Sequence, residues 1–84
     1  MNYEFTLPSL KQIKKLPKST AQRIIHKLDY FISQKEPLSF ADRITDTRIG
    51  TYRFRAGDYR IICDVDGDIL VILKIGHRRD IYKQ

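Results

Sequence analysis

Apolar residues follow two different periods along this chain, and the changes of period divide it into elements. Residues 2–6 alternate Tyr3 and Phe5 with polar neighbours, the period-two pattern of a short strand. Pro8 suits the first turn of a helix, and Leu10 and Ile13 mark one face of a short helix ending by Pro17. A longer helix follows. Ala21, Ile24, Ile25, Leu28, Phe31 and Ile32 recur at three- and four-residue spacing, an apolar stripe stopped at Glu36-Pro37. Its other face carries Gln22, Arg23, His26, Lys27 and Asp29 and reads as solvated surface. His26 has no second His, Cys or carboxylate at metal-ligand spacing. After a polar connector, residues 37–49, alternation returns in a run of strands.

Turn residues decide how those strands pair. Asp66-Gly67 is a strong two-residue hairpin signal, because a type I′ turn needs positive φ at both central positions. Ala56-Gly57 is weaker, since Ala resists positive φ, and a bulge using Gly57 is the alternative. Read as a two-residue loop, it sets Arg55 opposite Asp58, Phe54 opposite Tyr59 and Arg53 opposite Arg60. Tyr52, Phe54, Tyr59, Ile61 and Cys63 then share the face that packs on the helices. Arg53, Arg55 and Arg60 share the open one. Like charges directly opposite each other oppose folding by up to ~1 kcal/mol. Keeping them there points to an anionic ligand. A solvated basic face with Arg55 paired to Asp58 is the plainer reading, and spacing does not separate the two.

Residues 69–75 are apolar on both faces, as a covered or central strand is. With the second hairpin closed at Asp66-Gly67, Arg60 falls opposite Leu73, and the tail beyond Gly76 is placed to bring Arg78 and Tyr82 to the cleft of Arg60. The plainer roles are an aromatic lid on the core edge for Tyr82 and a turn residue without chemistry for His77.

Length and charge narrow the partners. At 84 residues the chain makes one domain, residues 1–84, with no linker or repeat, and a domain of this size buries roughly 60% of its unfolded surface. Lys+Arg total 16 against 10 Asp+Glu, a formal net charge of +6, which favours nucleic acid, an acidic membrane surface or an acidic protein. The membrane option is weak, because the longest apolar run, residues 69–73, is far short of the ~20 residues of a spanning helix. The N-terminus has no apolar signal-peptide segment. The single cysteine, Cys63, sits mid-strand among apolar residues, as a small core residue of a cytoplasmic protein does. No zinc spacing, phosphate-cradling glycine loop or Ser/His/Asp set occurs.

The order strand, two helices, three-stranded antiparallel meander, with YRFRAGDYRIICDVDGD followed by KIGHRRDIY, resembles the RelE/ParE toxin superfamily of type II toxin–antitoxin systems, and most of all its RelE branch. The likeness covers nearly the whole chain, including LKQIKKLP before the long helix. The motifs G-x-Y-R-x-R-x-G-D-Y-R and G-H-R-x-D-x-Y are specific in combination. The resemblance implies an α+β fold, one sheet with the helices on one face. It also implies a ribosome-dependent endoribonuclease that cuts messenger RNA and stops translation. Its partners would be the ribosome, mRNA and a cognate antitoxin, acidic and folding on binding.

Carried over by motif, Arg53 and Arg55 match the basic pair of the second strand, Arg60 the third-strand arginine, and Arg78 and Tyr82 the C-terminal arginine and aromatic. Arg79 adds RNA-binding charge beside them. The implied reaction is attack of a ribose 2′-OH on the adjacent phosphorus, leaving a 2′,3′-cyclic phosphate and a 5′-OH. Arg60 and Arg78 suit the developing phosphorane charge, so no metal or other cofactor is needed. Tyr82 stacks on a base or takes a proton. Where some relatives carry lysine on the second strand this chain has Arg53 and Arg55, and arginine is never a general base. That role falls to Tyr82, to His77 or to ribosomal RNA. The competing implication is a ParE-like inhibitor of DNA gyrase without RNase activity.

Overall fold

The computed structural model describes residues 1–46 and 48–82. Strand β1 (Asn2–Phe5) leads into helices α1 (Leu7–Lys14) and α2 (Lys18–Ser33), then a 3₁₀ turn (Pro37–Phe40). Strands β2 (Asp42–Arg43), β3 (Tyr52–Ala56), β4 (Tyr59–Asp66) and β5 (Ile69–His77) follow. The sheet order is β1-β5-β4-β3-β2. The α+β class and the β3-β4-β5 meander agree with the sequence, and β5 holds the interior position its apolar faces indicated. Two features were not legible. β1 runs parallel to β5, and β2 lies in the stretch read as a connector, pairing antiparallel with β3 over Asp42 and Arg43 alone. Two residues carry no alternation to detect.

The helical stripe covers one sheet face. Ile13, Ile24, Leu28 and Phe31 pack with Phe54, Ala56, Ile61, Cys63, Leu70, Ile72 and Ile75 in one buried cluster. Phe31 and Phe54 stack with ring centroids 4.8 Å apart, a pairing that adds to simple area burial. Burial, with Asp64 nearby, pushes the Cys63 thiol well above its ordinary range, so it is an inert core residue.

Helix α1 begins where the chain must satisfy strand β5. Thr6 Oγ1 accepts from Ser9 N at 3.4 Å, and Pro8 occupies the first turn, where a missing N–H costs nothing. Pairing of β1 ends at Phe5 opposite Ile72, and α1 takes over as neighbour. Buried Ser9 donates to the Ile72 carbonyl at 2.8 Å, and Gln12 Oε1 accepts from Ile75 N at 2.7 Å. Interior backbone groups that a strand would have paired are thereby satisfied.

Both hairpins turn one residue later than the sequence suggested. Ala56 pairs with Tyr59 and Asp66 with Ile69, so the loops are Gly57-Asp58 and Gly67-Asp68. Gly57 and Gly67 have φ of 61° and 60°, while no non-glycine residue described has positive φ. A glycine at the first central position fits a II′ turn, which asks nothing unusual of the Asp after it. The later turn changes each partner by two positions and leaves the faces unaltered. Arg55 therefore stands opposite Arg60, Arg53 opposite Ile62 and Phe54 opposite Ile61.

A bulge between Ile62 and Cys63 on the β4–β5 pair shifts the register once more. Cys63 pairs with Ile72 but Ile62 with Lys74, leaving Leu73 as the extra residue. This swing lets Ile72 and Ile75, three apart, both point into the core. Added to the two-position shift of the later turn, it sets Arg60 opposite Gly76, three residues nearer the tail than Leu73.

Tyr3 ties β1 to α2, its hydroxyl donating to Asp29 Oδ1 at 2.9 Å. Burial first, then this bond and the carboxylate charge, push the phenol from 10.0 up to about 12. Because the folded value lies above the unfolded one, the neutral phenol stabilises the fold in full below pH 10 and loses this contribution as pH rises through about 12. Thermal unfolding followed across that window is expected to show a steeper alkaline loss for the native protein than for Tyr3→Phe.

Candidate functional site

Alternation along β3 and β4 puts Arg53, Arg55 and Arg60 on the sheet face away from the helices, with Arg55 and Arg60 as direct cross-strand partners. The face is not fully open. Ile62 and Ile81 are completely or almost completely buried, yet stand outside the helix-side cluster. Gly50 approaches this face so closely, at φ 149°, that a Cβ there would sit 2.5 Å from Ile62 Cγ2 and 3.2 Å from Leu73 Cδ1. Only glycine permits that approach. Gly76 lies close under the tail, where a Cβ would meet Ile81 Cδ1 at 3.2 Å, a tight contact.

The tail crosses the arginine face and joins its two ends. Arg78 N donates to the Asp58 carbonyl at 2.7 Å, and Arg78 Nε lies 3.7 Å from Asp58 Oδ1. Arg60 Nη1 donates to the carbonyls of Gly57 and Tyr59 at 2.9 and 3.0 Å. Arg60 and Arg78 are thus both gathered on the β3–β4 turn. Asp80 N and Ile81 N both donate to the His77 carbonyl, and this tight turn delivers Tyr82 to the other end. There Arg53 Nη1 donates to the Tyr82 hydroxyl at 2.6 Å. That bond, ahead of the ones to Asp42, holds the Arg53 guanidinium above its ordinary value, so it is a fixed cation. A cleft of about 440 Å³ opens beside the pair, walled by Arg43, Ile44, Asp46 and Ile49. Tyr82 is half exposed.

Arg53, Arg55, Arg60, Arg78 and Tyr82 therefore share one face, with Arg60 and Arg78 at one end and Arg53 and Tyr82 at the other. His77 does not join them. It pairs with Tyr59, on the helix side, and packs edge-on against that ring at 5.6 Å. Its Nδ1 accepts from Arg79 N at 3.1 Å, which orders the turn. The Arg79 residue is exposed beyond it. Sequence reading passed over Asp42, which lies 3.2 Å from both Arg53 and Arg55. Only the pairing of β2 with β3 brings it there. The plainer reading paired Arg55 with Asp58, a residue that instead meets Arg78.

Helices on one face and a folded-back basic tail on the other define a small protein with fixed positive charge gathered on one side of its sheet. Comparison with known proteins names the group. The family described as ParE toxin of type II toxin–antitoxin system, parDE, matches residues 3–82. The chain belongs to that family, within the RelE/ParE superfamily of toxins. Individual relatives carry RelE-type names. It is 28% identical to Toxin RelG of Mycobacterium tuberculosis over 82 residues, 95% of this chain and 93% of the relative. Among solved structures it is similar to the RelBE2 toxin–antitoxin complex of M. tuberculosis, with a TM-score of 0.79 at 27% identity, covering 94% and 92% of the two chains. It is also similar to the archaeal RelE–RelB complex of Pyrococcus horikoshii, with a TM-score of 0.70 at 28% identity over 94% and 96%.

Proposed function

We propose that this toxin is a ribosome-dependent endoribonuclease that cuts mRNA by 2′-OH attack. The observation that carries the reading is the pairing of Arg55 directly across from Arg60, with Arg78 drawn to the same turn. Like charges directly opposite each other oppose folding, and arginines gathered on a face without helices suit a phosphodiester. Arg60 and Arg78 neutralise the phosphorane as the 2′-oxygen bonds to phosphorus and the bond to the 5′-oxygen breaks. Arg53 and Arg55 hold the neighbouring backbone, and exposed Arg79 adds charge at the rim. The 2′ proton goes to Tyr82 or to a group of ribosomal RNA, and a donor on the ribosome returns one to the 5′-oxygen. His77, turned to the helix side with Nδ1 occupied, takes no part.

Toeprinting of mRNA on programmed ribosomes with the purified toxin tests this, and intact message would sink it. The Tyr82 series then separates proton transfer from stacking. Tyr82→Phe is expected to slow cleavage about 100-fold and flatten the pH–rate profile, as loss of a general base does. Tyr82→Ala should cost a further ~1–3 kcal/mol of base stacking. A silent Phe variant assigns Tyr82 to stacking alone.

The partner is an antitoxin, a reading supported by relatives solved as toxin–antitoxin complexes, and the basic face suits an acidic one that folds on binding. The setting is the cytoplasm, where ribosomes are. The ParE name of the matching family favours a second reading, inhibition of DNA gyrase. Blocked supercoiling by purified gyrase together with uncut mRNA would establish it.

A further inference from the structure

Strand β2 contributes one side chain to the arginine face. Register places Asp42 opposite Arg53, and Nη2 of both Arg53 and Arg55 lies 3.2 Å from the same atom, Asp42 Oδ2. One anionic oxygen shared by two guanidinium groups is the arrangement a phosphate oxygen takes between a pair of arginines. We propose that Asp42 is an internal counter-ion occupying a phosphate subsite formed by Arg53 and Arg55, which RNA enters by displacing the carboxylate. The proposal rests on the RNA-binding reading above and gives Asp42 the role of limiting affinity for RNA at large.

The geometry suits an exchangeable occupant. The Asp42 side chain is 49% exposed and that of Arg55 64%, so the carboxylate can swing into water. Exposed ion pairs of this kind are weak, while a phosphodiester offers two anionic oxygens and further contacts along the chain. Arg53 is only 28% exposed and keeps its bond to the Tyr82 hydroxyl when Asp42 leaves. The subsite therefore stays formed. Arg53 above all, and the charge of Arg55, hold the Asp42 carboxyl below its usual range, so the counter-ion remains charged at neutral pH.

The test is equilibrium binding of a fluorescein-labelled single-stranded RNA oligonucleotide, measured by anisotropy over a salt series. Asp42→Asn keeps the shape of the side chain and removes its charge. It is expected to tighten binding by up to roughly 5-fold and to steepen the log–log salt slope by about one unit. Glu4→Gln, on the opposite edge strand β1, makes the same change in net charge and should gain far less. The gain should vanish when Arg53→Ala and Arg55→Ala are added to Asp42→Asn. Unchanged affinity in Asp42→Asn overturns the proposal, as does an equal gain in Glu4→Gln or in the triple variant. Cleavage on programmed ribosomes is read separately, so failure of the nuclease reading leaves the binding result interpretable.

Discussion

Arg60→Ala and Arg78→Ala are each expected to slow mRNA cleavage on programmed ribosomes by about 100-fold or more. Removing one preorganised charge contact to a transition state typically costs ~3 kcal/mol. The two side chains converge on one turn, Arg60 through the Gly57 carbonyl and Arg78 through Asp58. Their effects should therefore be less than additive in the double variant, as they are for groups acting as a unit. Arg60→Lys keeps the charge but loses the fork, and should recover only part of the rate. Single-turnover rates on saturating ribosomes separate chemistry from binding. Full activity in the double variant would remove this site from the reaction.

Phe54→Ala carries the largest expected loss of stability, about 3–5 kcal/mol. Phe54 is fully buried and stacks on Phe31, joining α2 to the middle of β3. Against a typical total of ~5–15 kcal/mol such a loss leaves a large unfolded fraction on heating. The consequence reaches the site, because Arg53 and Arg55 flank Phe54 on the same strand and point the other way. A core that fixes the Phe54 ring fixes the direction of both guanidinium stems. Denaturant titration should show the drop in midpoint, and the RNA affinity of the protein that remains folded should fall as well. Wild-type stability in this variant would mean that the helices are held by other contacts.

Sequence periodicity by itself determined the longer helix and the faces of β3 and β4. The stripe from Ala21 to Ile32 places Ile24, Leu28 and Phe31 inside, and period two along Tyr52 to Ala56 separates Phe54 from Arg53 and Arg55. These depend only on the geometry of one helix or strand, which is local. Even a turn misplaced by one residue left the faces intact, since it moves each partner by two positions. Tertiary structure alone decided the partners. Two Gly-Asp loops took positive φ on glycine and spared the neighbouring residues, setting Arg55 rather than Arg53 against Arg60. A bulge at Leu73, fitted so that Ile72 and Ile75 both reach the core, combined with the later turn to bring Gly76 and the tail beside Arg60 and turned His77 to the other face. Asp42 reached the arginines because an edge strand two residues long docked on β3. Each of these outcomes compares alternatives that are equal within a segment and differ only in what they bury elsewhere, and for that reason no local pattern records them.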